Sequence, residues 1–174
     1  MDDLLTKLAE WKPFRALVVG DFMLDQRWYG DAERLSADAP VPMLRVTRQE
    51  DRPGGSANLA LDLVAMHGRV TALGVVGQDQ EAILLRTALL QQGGDAAGLV
   101  TDPNRPTTVK RNLIGLAQGR HAQKMFRVDM ESREPIADTI VARLLDQFDR
   151  HLAQADVVCI EDYNKGVCTA ELCQ

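Results

Sequence analysis

Three acidic side chains stand just after apolar runs. Asp21 closes the run Arg15–Gly20, Asp25 lies four residues further on, and Asp162 follows Ala155–Ile160. An ionised carboxylate offers about four lone-pair sites, so such a set can accept hydrogen bonds from the vicinal hydroxyls of a sugar. The same residues also read as a turn cap at Asp21 and a solvated charge at Asp25, and spacing alone does not choose. Pro53-Gly54-Gly55-Ser56-Ala57-Asn58 opens a helical pattern. Its glycines let a ligand approach the backbone, the helix start offers free N–H groups, and Asn58 adds a donor and an acceptor. Lys110, Arg111 and Arg127 are cations suited to a phosphate, arginine through its bidentate fork. Taken singly, each reads as a solvated strand charge.

These groups need elements to bring them together. Arg15–Gly20 and Val70–Val76 are short apolar runs ending in glycine and polar residues, the pattern of buried parallel strands. Ala155–Ile160 reads as a further buried strand, and a short strand is expected near Leu99. Helices are expected from Gly54 to Gly68, over Gln80–Gln92 closed by Gly93-Gly94, and from an Asp138 cap through Leu152. An opening helix is capped by Asp2 or Asp3, with Leu4, Leu5, Leu8 and Trp11 on its apolar side. Two β-rich insertions interrupt the alternation. Residues 22–53 hold strand pieces Gln26–Tyr29 and Val41–Thr47, and residues 105–129 hold Thr107–Leu116 and Gln123–Asp129, joined around Gln118-Gly119. Alternating strands and helices imply an α/β parallel sheet, with ligands at the carboxyl ends of its strands. Asp21, Gly77-x-Asp79 and Glu161-Asp162-Tyr163-x-Lys165-Gly166 stand at such ends. The two insertions can pair as one small sheet.

The 174 residues carry a formal net charge of −5 with 45% hydrophobic and 26% charged residues. That composition fits one soluble domain and disfavours a nucleic-acid surface, which needs clustered Lys and Arg. No apolar run reaches the length of a membrane span, and no basic–apolar leader opens the chain, so a cytoplasmic setting is expected. Cys159, Cys168 and Cys173 are odd in number, and their spacing lacks the partners of a zinc site, so free thiols and no metal are expected. His67, His121 and His151 are scattered and read as structural or exposed.

Together the motifs resemble the ribokinase-like (PfkB) sugar kinases. The resemblance rests on Val19-Gly20-Asp21-x-Met23-Leu24-Asp25, Arg34-Leu35-Ser36-x-Asp38-Ala39-Pro40-Val41-Pro42 and Arg52-Pro53-Gly54-Gly55-x-Ala57-Asn58-x-Ala60. It continues through Gly74-x-x-Gly77-x-Asp79, Pro106-Thr107, Lys110, Arg127-x-Asp129 and Asp162-Tyr163-x-Lys165-Gly166. Within the family these motifs are most similar to the heptose 7-phosphate kinase domain of bifunctional ADP-heptose synthesis proteins. The resemblance implies a three-layer α/β core with a small β-sheet lid, truncated at its C-terminal side. Residues 1–174 would form the N-terminal portion of a single sugar-kinase domain, with lid insertions at about 22–53 and 105–129. It implies a sugar site of Asp21, Asp25, Gly54, Gly55, Asn58 and Asp162, with Lys110 and Arg127 on an existing sugar phosphate. A homodimer through the lid is a further expectation.

Ser56 stands where the family often has Ala, His67 where it usually has Gly, and Asn112 where the heptose kinases often carry Arg. The family's Asp-Thr-x-Gly-Ala-Gly-Asp motif, which supplies an anion hole and the catalytic Asp, does not occur in these residues. The resemblance therefore implies ATP and Mg²⁺ for the full-length enzyme, with neither expected to bind tightly here, and no turnover by these residues alone. The competing expectations are a catalytically dead sugar-phosphate-binding module and a nucleotide- or dinucleotide-binding domain, the latter lacking the required glycine spacing.

Overall fold

The computed structural model describes residues 6, 7, 10, 12–117 and 121–173. A parallel sheet runs in the order β5-β4-β1-β8, formed by β1 (Phe14–Gly20), β4 (Gly68–Val76), β5 (Leu99–Thr101) and β8 (Val157–Glu161). Strand side chains alternate between faces, and both faces of β1 are buried. Ala16 and Val18 pack with Leu85, Leu89 and Ala60 from α1 (Ser56–Ala65) and α2 (Gln80–Gln91). Leu17 and Val19 face the opposite side with Leu73 and Phe148, the latter from α3 (Asp138–Leu152). Val75, Ile140, Val141 and Leu144 extend that second layer. The result is helix–sheet–helix, and the near-continuous apolar runs of β1 and β4 follow from burial on two sides.

The second sheet has the order β3-β2-β6-β7. β2 (Phe22–Leu35) and β3 (Pro42–Gly55) are antiparallel, as are β6 (Thr108–Ala117) and β7 (His121–Met130). The two hairpins join through a parallel β2–β6 ladder that pairs Asp25 with Lys110. Each strand of the first hairpin spans 14 residues, longer than the expected pieces, with register shifts at Tyr29/Gly30 and Asp31/Arg34 absorbing the irregular stretch. β2 starts one residue after the core sheet is left, and β3 ends where α1 begins, so this sheet is rooted at the carboxyl ends of the core strands.

Two differences from expectation have physical reasons. β8 is not buried: Val157, Val158 and Ile160 are 40%, 36% and 55% exposed. It is an edge strand whose only sheet partner among the described residues is β1, so an apolar run does not bring burial with it. Asp138 does not cap α3. Ala137 holds that position without a side-chain bond, and Asp138 sits in the first turn, where its charge favours the helix dipole. The expected opening helix falls outside the described residues apart from Thr6, Lys7 and Glu10, and the turn at Gln118-Gly119 lies outside them altogether.

His67, where glycine is usual, has φ +67°, the left-handed conformation that ends a helix. No helix among the described residues is long and apolar enough to cross a membrane.

Candidate functional site

Three backbone segments meet at the carboxyl end of the core sheet. The Asp21 N–H donates to the Glu161 carbonyl at 3.2 Å, and the Ser56 N–H donates to the Asp21 carbonyl at 3.1 Å. Ser56, completely buried, also directs its hydroxyl at the Glu161 carbonyl, 3.4 Å away. Such close approach needs glycine: a Cβ on Gly20 would lie 2.1 Å from the Glu161 oxygen. Gly55, at φ +55°, would bring a Cβ within 2.6 Å of the Asp21 oxygen.

The Asp21 carboxylate is 1% exposed and faces the loop after β8. One oxygen accepts from the Tyr163 N–H at 2.7 Å and the Lys165 N–H at 3.1 Å, and the other accepts from the Val167 N–H at 3.4 Å. Backbone donors on a buried carboxylate replace the water it has lost. Asp21 therefore shapes the 162–167 loop. In that loop Asn164 and Gly166 have positive φ, and Asp162, exposed, accepts from the Asn164 N–H at 2.7 Å.

Asp25 differs in kind. It is half-buried on β2 between Arg52 of β3 and Lys110 of β6, and its carboxylate has no hydrogen-bond partner among the described residues. Cross-strand partners share a face, so Arg52, Asp25, Lys110 and Asp129 form one row across the second sheet. The Lys110 ammonium lies 5.6 Å from the centre of the Tyr163 ring. Partial burial raises the Tyr163 hydroxyl above its ordinary value, and the charges of Glu161 and Asp25 push it the same way. Asp25, Lys110, Tyr163 and Glu161 thus converge. Glu161 Oε2 is buried there with no hydrogen-bond partner among the described residues.

The remaining expected residues are placed as follows. Gly54 backs directly onto the Asp25 carboxylate. Asn58 is exposed in the first turn of α1 and reaches towards Asp62 at 3.5 Å. Arg127 shares the Lys110 face of the second sheet but holds Asp129 through two bonds of 2.8 Å. Arg111 points to the other face, stacked 4.1 Å from the Trp28 ring and bonded to Gln26 and Glu81. Asp79 caps α2 through the Ala82 N–H and accepts from the Thr107 N–H and hydroxyl, fastening β4 to the root of β6. Burial pushes the Cys168 thiol up to about 12.

Sequence reasoning did not single out Tyr163, Lys165, Glu131 or Arg105. Lys165 and Glu131 form a 2.9 Å ion pair, their side chains 11% and 15% exposed. Arg105 donates through one nitrogen to the carbonyls of Lys165, Glu134 and Ser132 at 2.8, 3.2 and 3.4 Å. Tyr163 and Lys165 lay within a quoted motif, whereas nothing in the sequence around Glu131 marks it.

A separate groove of ≈360 Å³ at the opposite, amino-terminal ends of β1 and β4 is lined by Arg15, Arg69, Asp95 and His151. It lacks the convergence of strand ends and unpaired groups seen around Asp25. Among the described residues no cluster of His, Cys, Asp and Glu is arranged to hold a metal ion.

A profile of the pfkB family of carbohydrate kinases matches residues 14–172. The D-beta-D-heptose 7-phosphate kinase of Bordetella bronchiseptica is 43% identical over 155 residues, covering 88% of this chain and 46% of that protein. The bifunctional protein HldE of Geobacter sulfurreducens is 41% identical over 157 residues, 90% of this chain and 31% of that one. The chain thus spans less than half the length of these relatives. Among solved structures, a carbohydrate kinase from Agrobacterium tumefaciens matches with a TM-score of 0.62 at 17% identity, over 84% of this chain and 45% of that one. Arabidopsis thaliana ribokinase complexed with ribose and ATP matches at 0.56 and 16% identity, over 86% and 45%. These two likenesses establish a ribokinase-like α/β fold.

Proposed function

The chain belongs to the pfkB family of carbohydrate kinases, and on that premise we propose that it is the N-terminal, sugar-binding part of an ATP-dependent kinase. The substrate class is a sugar phosphate, specifically a heptose 7-phosphate used in ADP-heptose synthesis. The observation that carries this reading is the juxtaposition of an unpaired carboxylate, Asp25, with the Lys110 cation on the neighbouring strand, above the Tyr163 loop. A sugar phosphate presents hydroxyl donors and an anionic group together, and this pair answers both.

The roles divide by environment. Asp25 accepts sugar hydroxyl protons from its place against Gly54, and Gly55 turns the chain into the helix start that borders the ring. Asn58 and Asp162, both exposed at the rim, add hydrogen bonds. Lys110 meets the phosphate, joined by Arg127 when that side chain leaves Asp129. Asp21, enclosed by backbone donors, positions the loop.

ATP and Mg²⁺ belong to the complete domain in this reading. The described residues offer no carboxylate cluster that suits Mg²⁺. These 174 residues lack the family's glycine-rich motif with its catalytic Asp, so no phosphoryl transfer is expected from them alone. Purified chain incubated with heptose 7-phosphate, ATP and Mg²⁺ should produce no ADP above the enzyme-free control. Robust sugar-dependent ADP release would overturn that part of the reading.

Self-association through the lid sheet is the partner proposal. β7 is exposed along its whole length and presents Phe126 at 66% exposure, an edge that invites pairing. Light scattering should give a dimer mass that falls to monomer in Phe126→Glu. A monomer in the parent chain at high concentration contradicts it.

A further inference from the structure

The second hairpin of the lid, β6–β7, pairs with β2 along β6 and meets the core again at its two roots. The chain enters it through Arg105–Thr107 and leaves through Glu131–Glu134. Both roots converge on one short segment, the loop after β8. Arg105 donates to the Lys165 carbonyl and, across the exit root, to Ser132 and Glu134. The Lys165 ammonium reaches back to Glu131 at 2.9 Å, and the Ile136 N–H donates to the Gly166 carbonyl at 3.0 Å. A Cβ on Gly166 would lie 2.0 Å from the Glu134 carbonyl oxygen, so the loop and the exit root are in backbone contact.

The other side of this loop is the site. Asp21 holds it through the Tyr163, Lys165 and Val167 amides, and its Tyr163 ring lies beneath Lys110 of β6. Lys165 therefore connects two things through one residue. Its backbone N–H is fixed by the Asp21 carboxylate, and its side chain fixes the lid root.

From this arrangement, and resting on the sugar-binding reading above, we infer that Lys165 is a positioning residue. The β2–β6 ladder sets Lys110 beside Asp25, and the enclosed Lys165–Glu131 pair steadies the hairpin's exit root, so that Lys110 stays over the Tyr163 ring. Lys165 need not touch the sugar. The pair is suited to this because it is largely withdrawn from water, where separating the charges is costly in a way that exposed pairs are not. Arg133 also reaches Glu131, at 2.9 Å, but is 68% exposed and contributes a weaker, screened hold. Arg105 binds only carbonyls and cannot substitute for the lost charge.

The test combines two readouts on the whole chain. Titration calorimetry with heptose 7-phosphate measures binding, and amide hydrogen exchange measures lid opening over Thr108–Ala117 relative to β1. Lys165→Met is expected to weaken binding about tenfold and to speed lid exchange about tenfold without changing β1, as for coupled neighbouring charges. Lys165→Arg should restore binding to within about threefold. Glu131→Gln, a milder change, should shift both readouts in the same direction and serves if Lys165→Met fails to fold. Faster lid exchange with unchanged affinity would overturn the positioning role, and unchanged exchange would overturn the latch itself. Absence of binding in the parent chain would defeat the sugar-binding reading and the positioning role with it, while the exchange data would still decide whether the latch exists.

Discussion

Gly54 and Asp25 sit back to back across the β2–β3 ladder: a methyl group on Gly54 would lie 2.5 Å from the Asp25 Oδ2 atom. The contact is with the mobile end of a side chain rather than with backbone, so an added methyl can be relieved by swinging the carboxylate away. Gly54→Ala is therefore expected to leave the fold nearly intact, with a stability change of about 1 kcal/mol or less. The displaced Asp25 should weaken sugar-phosphate binding at least about tenfold. Asp25→Asn should reproduce the binding loss with little cost in stability. Calorimetric titration and urea unfolding of the two variants check both halves, and a Gly54→Ala chain that binds normally contradicts the geometry.

Asp21 is expected to fail differently. Asp21→Ala strips the acceptor from three backbone N–H groups at the centre of the fold. Hydrogen bonds to a charged group contribute about 1.5–3 kcal/mol each, and stranded donors add a desolvation cost. A loss of roughly 3 kcal/mol or more in unfolding free energy is expected, together with faster exchange in the 162–167 loop. A stable variant with a protected loop would show that the carboxylate is dispensable as a scaffold.

Acid should loosen the lid root. The Lys165 hydrogen bond holds the Glu131 carboxyl below its ordinary value, partial burial opposes this, and Arg133 assists. A carboxyl whose folded pKa is depressed adds stability that is complete above its unfolded value and is lost as pH falls through the folded one. The stability difference between the parent and Glu131→Gln should therefore be constant from neutrality down to the ordinary carboxylate range. It should then shrink on further acidification. Urea midpoints measured at several pH values check this, and a difference that does not change with pH contradicts it.

The sequence disclosed the fold more fully than the site, and the reason lies in sequence separation. β1 and β4 are legible because burial on two faces demands unbroken apolar runs, and Gly20 and Gly55 mark close backbone approaches at positive φ that a side chain would block. The neighbour relation of Asp25 and Lys110 was not legible. It arises from a parallel ladder between residues 85 apart, whose register is set by tertiary packing. Asp21 illustrates a second limit: an Asp at a strand end is suited to sugar hydroxyls or to backbone amides, and only the path of a loop some 140 residues later decides between them. Glu131 illustrates a third, since its importance comes entirely from the lysine that reaches it. β8 misled because its apolar residues indicate what such a strand can cover, not what covers it here.

In the proposed complex the Asp25–Lys110 cleft takes a sugar and its phosphate together. The most direct test of this is calorimetric titration of the purified chain with heptose 7-phosphate, with unphosphorylated heptose and inorganic phosphate run alongside. Saturable binding of the sugar phosphate is predicted, at least about tenfold tighter than either part and lost in both Asp25→Asn and Lys110→Met. No binding, or binding that survives both substitutions, would contradict it.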